Sequence, residues 1–235
     1  MAAEPIALQP DLSPVIAEWG RRAASEYTSA AHAQQLTLWL IQIAAPSDLI
    51  EDGLRVAADE LAHARLCFEA HTAAGGTGLP AIDRRHLSLA ETSAREIDVL
   101  RATLQLFCLG ETLAVSMFVE ARRRCRAPAA RAALDRIVID EPRHRAFGWD
   151  ILDWYLHYQI VPECATVVAS WLPDMIEEFL RWYPLDAAAD DLAVHLSSWG
   201  LTSTATAARL VQRAADHDWR RRFEQRGIGY PASVR

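Results

Sequence analysis

Apolar residues return every three or four positions along four long stretches of this chain, the period of an α-helix with one buried face. The first stretch opens at Ser13-Pro14, with Ser as N-cap and Pro at the first helical position. It runs to about Ala45, with Val15, Trp19, Ala23, Ala30, Ala33, Leu36 and Leu40 in one stripe. Pro46-Ser47-Asp48 marks a turn, and a second helix is expected from about Ser47 to Ala74, stopped by Gly75-Gly76. A third is expected from about Ala94 to Arg126 and a fourth from about Pro128 to Gln159. Nearly 20 residues separate the second helix from the third, from Gly75 to about Ala94. That length predicts a crossover to a parallel neighbour, so the expected fold is all-α, a four-helix bundle with one long crossover.

Beyond Pro162 the pattern shortens. Helices are expected at Glu163–Leu172, Met175–Trp182, Asp186–Trp199 and Ser203–Gln225, broken at Pro173, Pro184 and Gly200. The chain therefore divides into an N-terminal arm (1–12), a bundle (13–160) and a C-terminal helical extension (161–235). The extension either covers an end or flank of the bundle or forms a dimer contact, which puts a homodimer among the expected states.

Two polar motifs interrupt the apolar stripes. Asp59-Glu60-Leu61-Ala62-His63 lies on the second helix and Asp140-Glu141-Pro142-Arg143-His144 on the fourth. Residues three apart on an α-helix share a face, so each motif presents a carboxylate and an imidazole together. Each is preceded by a lone Glu inside a stripe: Glu26 lies 34 residues before Glu60, and Glu111 lies 30 before Glu141. A carboxylate on a buried face needs a partner. Counted from the turns, Glu111 comes level with Glu141 and His144 across an antiparallel pair. Glu26 matches Glu60 and His63 more loosely, and a few non-helical residues near the turn would bring it in. The pattern is an internal repeat, a helix with Glu followed by a helix with Glu-x-x-His. Its six side chains, Glu26, Glu60, His63, Glu111, Glu141 and His144, make a ligand set for two metal ions.

Mixed Glu/His ligation suits redox iron, with two Fe ions expected and Mn/Fe as the other pairing. Four carboxylates neutralise two divalent cations. Asp59 and Asp140 are expected to accept the free N–H of a ligand His. Pro142 removes a backbone donor inside the second motif and is expected to kink the fourth helix or open a π-bulge there.

Composition narrows the setting. A net charge of −7 argues against nucleic-acid binding. Cys67, Cys108, Cys125 and Cys164 show no paired spacing and read as thiols in a reducing cytoplasm. No basic and apolar leader is visible at the N-terminus, and no uninterrupted apolar run reaches membrane-spanning length, so no membrane partner is expected.

The stretch from about Ser13 to Tyr158 resembles the ferritin-like di-iron carboxylate superfamily. The resemblance is strongest to bacterial ferritin-like domains with Asp-Glu-x-x-His-Ala-Arg-Leu-Cys-Phe in the second helix, here Asp59 to Phe68, and Gly-Glu-Thr-Leu-Ala in the third, here Gly110 to Ala114. It implies a left-handed bundle, two irons held by the six residues, and reaction with O2 or peroxide.

The expected activity is a di-iron oxidase or oxygenase that uses O2 to hydroxylate, desaturate or N-oxygenate a small organic substrate. Ala23, Ser29, Ala30 and Ala33 leave room beside Glu26. Ala30, Phe107, Cys108, Val115 and Phe118 are expected near the substrate, with the C-terminal helices as lid. No flavin or nicotinamide fingerprint appears, so electrons would come from an external donor such as a ferredoxin or reductase. The alternative is a ferroxidase or a rubrerythrin-like peroxide scavenger. Against it stand the missing rubredoxin-like cysteine pairs and the large extension. His195 and His217 are read as structural or solvated rather than as further ligands.

Overall fold

The computed structural model describes residues 11–183 and 192–232. Among these residues the chain is all-helical, with no strand. Helix α1 is Ser13–Gln42 and α2 is Ser47–Ala73. A single 3-10 turn, Arg84–His86, lies in the crossover. Helix α3 (Arg95–Arg124) is α-helical at both ends and a π-helix over Thr103–Glu111. Helix α4 is Pro128–Tyr158, α5 is Cys164–Trp182 and α6 is Val194–Ser197. Helix α7 (204–224) contains a second π segment, Ala214–Trp219. Most of the expected N-terminal arm, and the start of the helix expected from Asp186, lie outside the described residues.

Helix α1 packs along α2, α2 against α4, and α4 against α3. Side-chain pairs fix the directions. Asp59 meets His144 and His63 meets Asp140, so α2 and α4 are antiparallel. Cys108 meets Gly148 and Arg122 meets Asp135, so α3 and α4 are antiparallel too. Helices α2 and α3 therefore run the same way, and the segment between them passes beside α1. His32 Nε2 lies 2.8 Å from the His86 carbonyl, and the Gln35 side-chain carbonyl accepts the Leu89 N–H at 2.7 Å.

The core is continuous from these helices into the C-terminal segment. Leu36, Leu40, Leu100 and Leu104 are fully buried, and so are Val211, Trp219 and Phe223 of α7. Each fully buried leucine stabilises the fold by roughly 1.5–3 kcal/mol. Trp219 donates its indole N–H to the Leu109 carbonyl at 3.1 Å, so α7 is hydrogen-bonded to the π segment of α3.

Two expectations need correction. Pro173 does not break a helix: α5 runs through it, because Leu172, Met175 and Ile176 are buried on either side while the proline faces solvent. Of the two outcomes expected at Pro142, the π-bulge does not occur: α4 stays α-helical across it, and the π segment lies on α3 instead. By length and composition alone α3 is also apolar enough to cross a membrane, and 44% of its most apolar window is buried within this chain.

Helices α3 and α4 approach closely at Gly148. A Cβ there would stand 2.3 Å from Phe107 Cβ and 3.1 Å from the Cys108 backbone nitrogen. Gly148→Ala is expected to destabilise by about 1–3 kcal/mol, because part of the obstruction is backbone and cannot swing aside. Urea unfolding checks this, and an unchanged midpoint would refute the close approach.

Candidate metal centre

The two motifs meet in the interior. Glu60, His63, Glu141 and His144 are all buried, and each offers a ligand atom within 4.8 Å of the others. This group is able to hold a metal ion. His63 Nδ1 stands 3.6 Å from Glu60, 4.0 Å from Glu26 and 4.0 Å from Glu141. His144 Nδ1 stands 3.0 Å from Glu60 Oε1 and 4.0 Å from Glu141. Glu60 and Glu141 thus lie between both imidazoles. Glu26 lies against Glu60, and Glu111 against Glu141. The spacing within the second motif resembles that in the first, so Pro142 does not pull Glu141 away from His144.

The looser register of the first hairpin has a local cause. Helix α1 stops at Gln42, and Ala44 takes a left-handed backbone (φ 55°) before α2 begins. The non-helical residues between the helices draw Glu26 level with Glu60.

The outer nitrogens of the histidines are held crosswise. His63 Nε2 lies 3.1 Å from Asp140 Oδ2, and His144 Nε2 lies 3.3 Å from Asp59 Oδ2. Each aspartate accepts the Nε2–H of the other motif's histidine, which turns the bare Nδ1 toward the carboxylates. Arg136 and Arg143 bridge the two aspartates from the surface side; Arg136 contacts Asp59 at 3.1 Å and Arg143 contacts Asp140 at 3.1 Å. The sequence reading missed both arginines. Their spacing from Asp140, four before and three after, is that of helix-surface ion pairs and was available as a clue. Asp59→Asn is expected to weaken metal binding about 10- to 100-fold by loosening the His144 ring. Chelator competition measures this, and unchanged affinity would remove Asp59 from the site.

Glu60 Oε2, His63 Nδ1, Glu141 Oε2 and His144 Nδ1 are buried and have no hydrogen-bond partner. The 3.0 Å approach of His144 Nδ1 to Glu60 lacks hydrogen-bond alignment. Buried polar atoms are ordinarily paired, and these four converge on one another. The donor set, carboxylate oxygen and imidazole nitrogen, fits first-row divalent metals.

The electrostatics agree. Burial, then the neighbouring Glu60, pushes the Glu26 carboxyl well above its usual range. Burial, then Glu111, does the same to Glu141, and Glu111 is raised chiefly by burial. Burial also opposes ionisation of Glu60, but the neighbouring His144 and His63 imidazoles outweigh it and bring this group down to about 2. His144 is raised: burial works against its charge, and Glu60 overcomes that.

A cavity of about 900 Å³ opens on the carboxylate side. Glu26, Glu60, Glu111 and Glu141 all reach its wall, and neither ligand histidine does. Helix α1 contributes a polar wall with Ser25, Ser29 and His32, and α3 an apolar one with Phe107, Met117 and Phe118. Phe179 and Trp182 of α5, with Leu201 and Ala207, close it from the C-terminal side. Of the residues expected near a substrate, Phe107 and Phe118 line this cavity, while Ala30, Cys108 and Val115 do not. The Cys108 thiol is fully buried and donates to the Gly148 carbonyl at 3.4 Å, because the π segment turns it toward α4. His195 and His217 stay off the cavity wall.

No family model, curated protein or solved structure matches this chain.

Proposed function

We propose that this protein is a ferritin-like four-helix bundle with a di-iron centre, and that it uses O2 to oxidise a small organic substrate. The observation that carries this reading is the set of four unpartnered buried ligand atoms beside a large cavity bounded by all four cluster glutamates. Glu26, Glu60 and His63 would hold one ion and Glu111, Glu141 and His144 the other, with Glu60 and Glu141 shared. Two irons bound there would supply two-electron reduction chemistry toward O2. Oxygenation balances as R–H + O2 + 2 e⁻ + 2 H⁺ → R–OH + H2O, with the electrons from an external donor.

The chain's own residues do the rest. Asp59 and Asp140 orient the histidines, and the arginine pair holds the aspartates in place. Glu26 and Glu141, which favour their protons in the metal-free cluster, would give them up when the ions bind. The apolar side of the cavity excludes water from the substrate's reacting end. A storage protein that passes only iron has no use for a cavity of this size with an aromatic wall, which favours the organic substrate over the ferroxidase alternative.

Anaerobic loading with Fe(II), metal counting and O2 uptake test the proposal. About two irons per chain are expected, with an O2 uptake that excess Fe(II) does not prolong. Sustained oxidation of excess Fe(II) would overturn the reading in favour of a ferroxidase. Less than one iron, unchanged in His144→Ala, would overturn the di-iron centre itself.

A further inference from the structure

Arg22 stands one helical turn before Glu26 on α1 and lines the same cavity. It is only 8% exposed. Its Nε donates to Glu18 at 2.7 Å and its Nη2 to the Gly200 carbonyl at 3.0 Å, while Nη1 has no partner. The guanidinium carbon sits 4.7 Å from the centre of the Trp19 ring, which fixes the plane of the group. Glu18 is shared with Arg21. Apart from the four cluster glutamates, the cavity wall therefore carries two arginines against one glutamate. With the cluster charges neutralised by two divalent ions, one positive charge is left without its counterpart. The opposite wall is apolar, built from Leu106, Phe107, Leu113, Met117 and Phe118.

We infer that the cavity takes an amphipathic monocarboxylic acid, with its carboxylate on Arg22 and its apolar body along α3 toward Glu26 and Glu111. A planar carboxylate matches the fixed guanidinium, and a bond to Nη1 satisfies a buried donor that otherwise has none. Arg22 and Glu26 are about 6 Å apart along the helix axis, so the bond to be oxidised lies a few carbons from the acid group. That the acid is oxidised, rather than only bound, rests on the proposed oxygenase reading.

The test uses the full chain loaded with Co(II), titrated calorimetrically with octanoate, octan-1-ol and octylammonium. Octanoate is expected to bind about tenfold or more tighter than the alcohol, as one charge-assisted bond provides, and the ammonium more weakly than either. Arg22→Gln should erase the acid's advantage and leave the alcohol's affinity unchanged. The visible Co(II) bands should be the same with acid and alcohol bound. Equal affinities, a preference that survives Arg22→Gln, or bands altered by the acid alone would overturn the assignment; the last would place the carboxylate on the metal. Arg22 also ties down Gly200, so melting curves accompany the variant. If it fails to fold, the ligand series and the Co(II) bands decide on the unmodified protein. Failure of the metal reading is distinguishable: cobalt would not bind at all, whereas failure of this assignment alone leaves cobalt bound and the acid no tighter than the alcohol.

Discussion

Glu60→Ala is expected to empty the centre of both ions, not of one. Glu60 is the only cluster carboxylate within 3.6 Å of both imidazole Nδ1 atoms. Its removal deprives each metal position of an anionic ligand at once, and three carboxylates then face four positive charges. Metal affinity should fall by more than the roughly 100-fold typical of losing an outer hydrogen-bond partner, and O2 uptake should fall with it. Glu26→Ala should behave differently, because Glu26 approaches only His63. One ion should remain, held by Glu111, Glu141 and His144. Metal counting on both variants separates the cases. Equal losses from the two would refute the shared position of Glu60.

The second large effect is on pH dependence without metal. Glu26, Glu111 and Glu141 have folded-state values above the 4.5 of a free glutamate, and His144 lies above 6.5. Groups shifted upward bind protons more tightly in the folded state. Their stabilising contribution is complete below the unfolded value and lost as pH rises through the folded one. Glu60 has the opposite sign: its contribution is present above 4.5 and is lost as pH falls toward about 2. From about pH 5 upward the three glutamates act together, joined by His144 above 6.5, while Glu60 stays ionised in both states. The metal-free protein should therefore lose stability between about pH 5 and 8, by roughly 5–10 °C in melting temperature. Zn(II) should remove the slope, since the cations replace the protons, and should add about 2.7 kcal/mol at a hundredfold excess over its dissociation constant. Melting curves in chelator and in Zn(II) test both statements. A chelated protein whose melting temperature rises over this range would contradict the clustering of the carboxylates.

The long helices and the levels of the six polar residues were legible in the sequence because they depend on periodicity and rise per residue alone. A glutamate within an apolar stripe is costly, and that cost pointed to Glu26 and Glu111 before any geometry was known. The course of α5 through Pro173 was not legible, because burial of Leu172 and Ile176 against other elements decides it. The π segment was hidden for a similar reason. It is a property of α3's fit against α4 and α7, where Gly148 admits Phe107 and Trp219 bonds the Leu109 carbonyl. That segment turned Cys108 out of the cavity that its spacing had assigned it to. The joining of Asp59 and Asp140 through Arg136 and Arg143 needs two helices side by side. Sequence distance does not reveal which aspartate serves which histidine.

The crosswise bonding of those aspartates has a consequence for the repeat itself. Had each Asp served the histidine of its own motif, either hairpin would hold half a centre by itself. Here His63 takes its orientation from α4 and His144 from α2, so neither half is correctly wired until both are docked. The exchange is reciprocal, as in an assembly of two like hairpins where each lends its acid to the other. A single chain fixes that reciprocity without making the halves identical. Pro142, Arg143 and the π-helical turn are therefore carried by the second hairpin alone, while the first keeps a plain α-helical scaffold.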